Sequence, residues 1–207
     1  MFDIIIIAMV ALFIFLRLKS ELGNHNDDDV SPPRHSEKKE AVPAAVAPSK
    51  AISSIKDPTL QESLLQMQAK NPTFDVDTFI KNATRAYELI LEAFWSGDSS
   101  TLENLLSRDV FSQFKAAVDA RNKAEHTLEN KILGIEENTV SKATLKGSVA
   151  NITMTFKTDI IAITRDKEGT VVDGDISNSI EVIDTWTFER DLKSNDPKWI
   201  LVATHAG

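Results

Sequence analysis

Apolar residues fall along this chain in distinct patterns, and each pattern predicts a different kind of structure. From Ile4 to Leu16 they run unbroken as IIIIAMVALFIFL. Between residues 23 and 56 they thin to scattered Val, Ala and Ile among prolines and charges. From Asp57 they recur at helical spacing, and from about Lys131 the period changes towards alternation with polar residues.

Asp57-Pro58-Thr59 reads as an N-cap followed by proline at the first helical position, and Leu60, Leu64, Leu65 and Met67 give a short apolar stripe. That stripe either packs on its own domain or faces a membrane or partner. Val76, Phe79, Ala83, Ala86, Tyr87, Ile90, Leu91 and Phe94 predict a longer helix that stops at Ser96-Gly97-Asp98. Leu102, Leu105 and Leu106 mark a further helix, and Val110, Phe111, Phe114, Ala117 and Val118 another. Ala150, Ile152, Met154, Phe156, Ile160 and Ala162 alternate with polar residues as a long half-buried strand. A turn-rich loop follows at Asp166–Gly169 and Asp173-Gly174, then a strand through Ile180, Val182, Trp186 and Phe188, a turn at Ser194–Pro197, and a last strand from Trp199 to Ala203. Helices first and hairpin-linked strands afterwards predict an α+β domain, with helices packed on one face of an antiparallel sheet.

The first pattern is expected to be a membrane anchor over residues 1–22, held by Phe2, Ile4, Ile5, Ile6, Ile7, Leu12, Phe13, Phe15 and Leu16. Its apolar run reaches about 20 Å into a hydrocarbon layer of about 30 Å, and Met1, Phe2 and a snorkelling Arg17 extend that reach. A secretory signal would need a basic start and a small-residue cleavage site, and a transit peptide would be Arg-rich; the opening Met-Phe-Asp has neither character. Arg17 and Lys19 follow the run, which places the C-terminal side in the cytoplasm. Residues 23–56 hold four of the seven prolines and no aromatic residue, the composition of a disordered spacer. The expected organisation is therefore an anchor over 1–22, a spacer over 23–56, a short helical arm over 57–74 and a folded domain over 75–207.

Charge narrows the partners. Acids and bases balance over residues 1–56, so the whole net charge of −8 sits on residues 57–207. An acidic body is repelled by phosphate backbones, so no nucleic acid is expected as a partner. The chain has no cysteine, which removes disulfides and thiolate metal sites.

Two stretches, AYELILEAFWSGDSSTLENLLSRDVFSQF and DTWTFERDLKSNDPKWILVAT, resemble the Tim-forty-four-like family, named after a peripheral subunit of the mitochondrial inner-membrane import motor. The opening FDIIIIAMVALFIFLRLKSELG is similar to that of bacterial inner-membrane members. The resemblance implies a nuclear-transport-factor-two-like cone, with helices curled against a bent sheet around an apolar pocket. It also implies attachment to a bacterial inner membrane and a scaffolding role. The mitochondrial member's long N-terminal region for chaperone and channel contacts has no counterpart here, so an import-motor function is not carried over.

Chemistry is sparse. No nucleophile elbow, phosphate-binding loop or dinucleotide glycine pattern is present. The histidines His25, His35, His126 and His205 are scattered without ligand spacing, and neither metal nor cofactor is expected. Asp184 breaks the pattern, because it shares the strand face of Ile180, Val182, Trp186 and Phe188. A carboxylate there must be paired, hydrogen-bonded or raised in pKa, and Arg190, Arg165 or Arg85 is the expected partner.

The expected function is a membrane-anchored binding or scaffolding module, not an enzyme, whose apolar pocket takes a membrane lipid or an unidentified membrane or cytoplasmic protein. The candidate pocket lining is Phe79, Tyr87, Phe94, Phe111 and Phe114 from the helices, with Met154, Phe156, Trp186 and Phe188 from the sheet. The alternatives are a proton-transfer enzyme built on Asp184 and a membrane receptor for ribosomes. Deleting residues 1–22 should move the protein from the membrane pellet to the soluble fraction. A truncated chain that still pellets after a high-salt wash would place the tether elsewhere.

Overall fold

The computed structural model describes residues 52, 53 and 55–206. The anchor expected over residues 1–22 and nearly all of the spacer lie outside the described residues. Among the described residues no helix is long and apolar enough to cross a membrane.

Helix α1 spans Pro58–Lys70, α2 Val76–Ser96, α3 Ser99–Leu105 and α4 Arg108–Lys123. Each starts on a short polar side chain that accepts from backbone N–H groups left free by the helix: Asp57, Asp75, Asp98 and Ser107. Helix α2 stops because Gly97 turns to φ 78°, a left-handed conformation that glycine adopts without a Cβ penalty.

The strands are β1 (Thr127–Leu128), β2 (Lys131–Lys146), β3 (Val149–Ile161), β4 (Ile163–Arg165), β5 (Val171–Gly174), β6 (Ile180–Asp191) and β7 (Ile200–Ala206). Two antiparallel sheets result, one ordered β2-β3-β6-β7 and one ordered β1-β4-β5. The predicted α+β architecture is what the structure shows. The segment expected to be a turn-rich loop instead holds the β4–β5 hairpin, and Asp166 organises its turn by accepting from the N–H groups of Glu168 and Thr170.

Strand β3 alternates strictly, with Ala150, Ile152, Met154, Phe156, Thr158 and Ile160 buried on the helix side. Strand β2 does not alternate, because its pairing with β3 shifts at Ile132/Gly134, Ile135/Glu137 and Val140/Lys142. Each shift adds an unpaired residue and bends the strand, which curves this edge of the sheet.

The helical arm expected over residues 57–74 is part of the folded body. Leu60, Leu64 and Met67 of α1 belong to the same buried cluster as Tyr87, Met154 and Phe156. Asn71 ties the α1–α2 corner to the opposite end of the chain by donating to the Leu192 carbonyl at 3.0 Å. Replacing Leu64 by Ala should therefore cost about 2–5 kcal/mol, read from denaturant midpoints. A loss below about 0.5 kcal/mol, the range of surface substitutions, would mean that α1 detaches freely.

Candidate functional site

The apolar face of α2 repeats through Phe79, Ala83, Tyr87 and Ile90, which is one stripe of a helix. That stripe lays Tyr87 over the sheet. Its ring stacks on Phe156 at 4.2 Å with 13° between the planes and meets Trp186 edge-on at 4.6 Å. Its hydroxyl donates to Asp184 Oδ2 at 2.8 Å. Asp184 pairs across the sheet with Phe156, so the register alone delivers the carboxylate beneath the tyrosine ring.

The partner of Asp184 is thus a tyrosine, and the arginine expectation is corrected. Arg85 pairs with Glu88 at 3.0 Å on the helix surface and Arg165 with Glu129 at 2.8 Å. Arg190 Nε donates to the Asp196 carbonyl at 3.1 Å. All three side chains lie nearer water than the core, where a guanidinium keeps its hydration.

Burial raises the pKa of Asp184 above the ordinary carboxylate range, and the bond from Tyr87 opposes part of that rise. Burial, followed by the neighbouring Asp184 charge, raises the Tyr87 hydroxyl well above its ordinary value, so it stays a donor. The nearby Thr158 hydroxyl opposes that rise. Its Oγ1 is buried outside hydrogen-bond geometry with any described residue.

The nine candidate pocket residues divide into separate groups. Tyr87, Met154 and Phe156 are 0% exposed, so no water-sized void touches them. They fill the interior that they were expected to line, together with Leu64 and Met67 of α1, and Trp186 is nearly as buried. Phe94 and Phe114 form an edge-on pair at 5.2 Å between α2 and α4, with Phe111 half-buried near them on α4. Phe79 and Phe188 are brought together at 6.1 Å and lie beside a groove.

That groove holds about 190 Å³ and is lined by Phe79, Asn82, Ala83, Ala86, Phe188, Pro197, Lys198 and Trp199. Ala83 and Ala86 make it possible, since two small side chains on α2 leave space that larger ones would fill. Trp199 forms the outer wall, edge-on to Phe79 at 4.7 Å and tilted against Phe74 at 6.1 Å. Periodicity could not reveal it, because the groove joins a helix to a turn more than a hundred residues away. The Asp-Pro-x-Trp element, Asp196 to Trp199, was the available signal.

Sequence reading also missed Arg121, which is buried beside Gly97 and donates to the Phe94 carbonyl at 3.0 Å. Its guanidinium lies 5.6 Å from the Phe94 ring, and burial lowers its pKa. A cation at this place satisfies carbonyls at the C-terminal end of α2 and favours the helix dipole. Among the described residues no cluster of His, Asp or Glu could hold a metal ion.

An antiparallel sheet with helices over one face, its buried acid satisfied by a tyrosine, defines an α+β domain with an apolar surface groove. The chain belongs to the Tim44-like domain family, whose model matches residues 60–206. The mitochondrial import inner membrane translocase subunit TIM44-1 of Arabidopsis thaliana is 25% identical over 125 residues, which are 60% of this chain and 26% of that protein. The TIM44 subunit of Homo sapiens is 22% identical over 139 residues, covering 67% of this chain and 31% of its own length. The match thus spans about a third or less of these relatives. Among solved structures, the intermembrane space region of chloroplast protein ARC6 superposes with a TM-score of 0.46 at 13% identity, covering 65% of this chain and 98% of that one. A nuclear transport factor 2-like superfamily protein from Salmonella enterica gives a TM-score of 0.41 at 13% identity, covering 64% and 92%.

A raised carboxyl pKa fixes the sign of a pH effect. The folded state keeps a proton that the unfolded chain releases near pH 4, so Asp184 costs stability as pH rises from there through its folded value, and no more above it. The stability of the wild type minus that of Asp184→Asn should therefore fall with rising pH in denaturant titrations. A difference that grows with pH would show an ionised carboxylate to be favoured in the fold. Tyr87→Phe, which removes the hydroxyl donor and leaves the carboxyl only Trp186 beside it, should cost about 1–3 kcal/mol.

Proposed function

We propose that this protein is a membrane-attached binding module, in which the α+β body presents a small apolar groove to one hydrophobic group of a partner. The observation that carries this reading is the groove itself. Its volume of about 190 Å³ exceeds the roughly 150 Å³ of an apolar cavity that takes up benzene. Its floor is Phe79, Ala83, Ala86 and Phe188, and Asn82 and Lys198 stand at its rim. An apolar floor with a few polar rim groups suits a large aliphatic or aromatic side chain, or the end of an acyl chain.

Attachment in this reading comes from the apolar run at Ile4–Leu16, with the acidic body on the cytoplasmic face of an inner membrane. The relatives, subunits of a mitochondrial inner-membrane import translocase, support membrane association and work beside protein translocation. The cone of nuclear-transport-factor-two type belongs to the same proposal, with the bulged strand β2 supplying its curvature. Asp184 serves here as an internal acceptor. A carboxylate held by Tyr87 against rings without accessible surface is poorly placed for catalysis, which favours binding over proton transfer.

The test fills the groove. Full-length protein should bind a medium-chain alkyl amphiphile saturably, read as a change in tryptophan emission because Trp199 walls the site. Ala86→Phe occupies the space from the half-exposed side of α2 and should weaken that binding by about tenfold, or about 1.4 kcal/mol. Unchanged affinity in a folded Ala86→Phe protein would remove the groove from the function.

A further inference from the structure

Seven large hydrophobic residues are exposed among those described, and all but Leu65 gather at one end of the main sheet. The register puts them there. Ile180 on β6 pairs with Ile160 near the end of β3, and Leu133 is the extra residue of the β2 shift between Ile132, which also pairs with Ile160, and Gly134. Ile183 follows on β6, and Val171 and Val172 lie on β5, whose end Gly174 pairs with Ile163 just past β3. Ile176 tips the connecting loop and is 69% exposed.

This loop is built, not frayed. Asp175 accepts from the Ser177 N–H at 2.8 Å and from the Asn178 side chain. At Gly174, φ is 90° and any Cβ would collide with the Ala162 carbonyl, so the backbone lies tight against the strand end. An organised loop that holds an isoleucine in water calls for an occupant.

Charge says which. Residues 171–183, VVDGDISNSIEVI, carry Asp173, Asp175 and Glu181 and no Lys or Arg. Most neighbouring cations are already engaged, Lys157 with Glu136 and Glu181, Arg165 with Glu129, and Lys167 with Glu125 and Glu168, while Lys131 at the start of β2 has no ion pair among the described residues; Asp173 and Asp175 are the acids of this segment left without a cation. Anionic head groups are repelled by such a surface. A two-fold contact between copies would set the same acids against each other.

We propose that this end of the sheet is a docking surface for a cationic apolar segment of a partner protein, one in which Lys or Arg alternates with aliphatic residues. The aliphatic side chains cover Ile176 and Ile180, and the cations face Asp173 and Asp175. The surface is distinct from the groove at Trp199, and either can fail without the other.

The test uses the full chain in zwitterionic nanodiscs, with empty nanodiscs as the blank, and a short labelled peptide of alternating Leu and Lys. The counterpart peptide replaces each Lys by Glu. Anisotropy should show the Leu/Lys peptide binding at least about tenfold tighter than the Leu/Glu peptide. Ile176→Ser, and separately Asp173→Lys, should each weaken it by about tenfold. Glu62→Lys makes the same charge change on α1 and should leave affinity within about twofold. These side chains are at the surface, so unchanged melting temperatures would confirm folded variants. An equal loss in the α1 control would overturn the proposal in favour of diffuse charge attraction. Unchanged affinity in Ile176→Ser would overturn it outright. Ile176-dependent binding to neutral vesicles, or an Ile176-dependent dimer in sedimentation, would give the surface to lipid or to a second copy instead.

Discussion

The bond from Tyr87 to Asp184 sets the position of the long helix on the sheet, and most of the core depends on that position. A carboxyl group inside an apolar interior costs several kcal/mol unless a donor reaches it. Only one residue of α2 supplies that donor, and it does so with its ring flat on Phe156. Stacking alone tolerates sliding along the face of a ring. The hydrogen bond does not, because a donor displaced by one helical turn leaves the carboxylate stranded. A dispersive contact and a directional one thus share a side chain, and together they set the axial register of α2.

That register decides where space is left over. With Tyr87 seated over the centre of the sheet, Phe79 falls two turns back, against Phe188 and Trp199. The intervening Ala83 and Ala86 are too small to close the gap, and the groove follows. At the other end of the helix, Gly97 and the buried Arg121 finish α2 before it reaches the exposed aliphatic residues around Ile180. The central interior is closed by α1, whose Leu64 and Met67 supply volume that the other three helices do not.

How much of this was legible in the sequence varied with the kind of interaction involved. Caps and turns are local, so Asp57-Pro58 announced the start of α1 and Ser96-Gly97-Asp98 the end of α2 from a few residues. Strands β3 and β6 were legible because β3 buries one face throughout and β6 does so from Asp184 to Phe188, so that both alternate cleanly there. Strand β2 was not legible as a strand, since three register shifts interrupt its alternation. The odd placement of Asp184 among apolar neighbours was visible, yet its partner was not. Tyr87 is 97 residues away, and a tyrosine on a helical apolar stripe looks like any other core ring. The expected pocket lining divides into separate groups for a related reason. Counting aromatic residues without the volume of α1 leaves an apparent surplus, and the helix consumes it.

The two surfaces that remain are separated by the sheet itself. Phe188, at the groove, pairs with Ile152 on β3, and Ile180 pairs with Ile160. Eight residues of extended chain separate those positions, about 27 Å at a strand's rise. That distance is wide enough for two occupants to bind at once without touching. The sheet between them is packed on its helix side by rings without accessible surface, so it is a poor element for passing a shape change from one site to the other. Independent sites on a rigid spacer bring their occupants together by proximity, with the effective concentration set by the spacer and no coupling required. On the proposed reading, a body whose buried acid is committed to holding a helix in place would act by proximity.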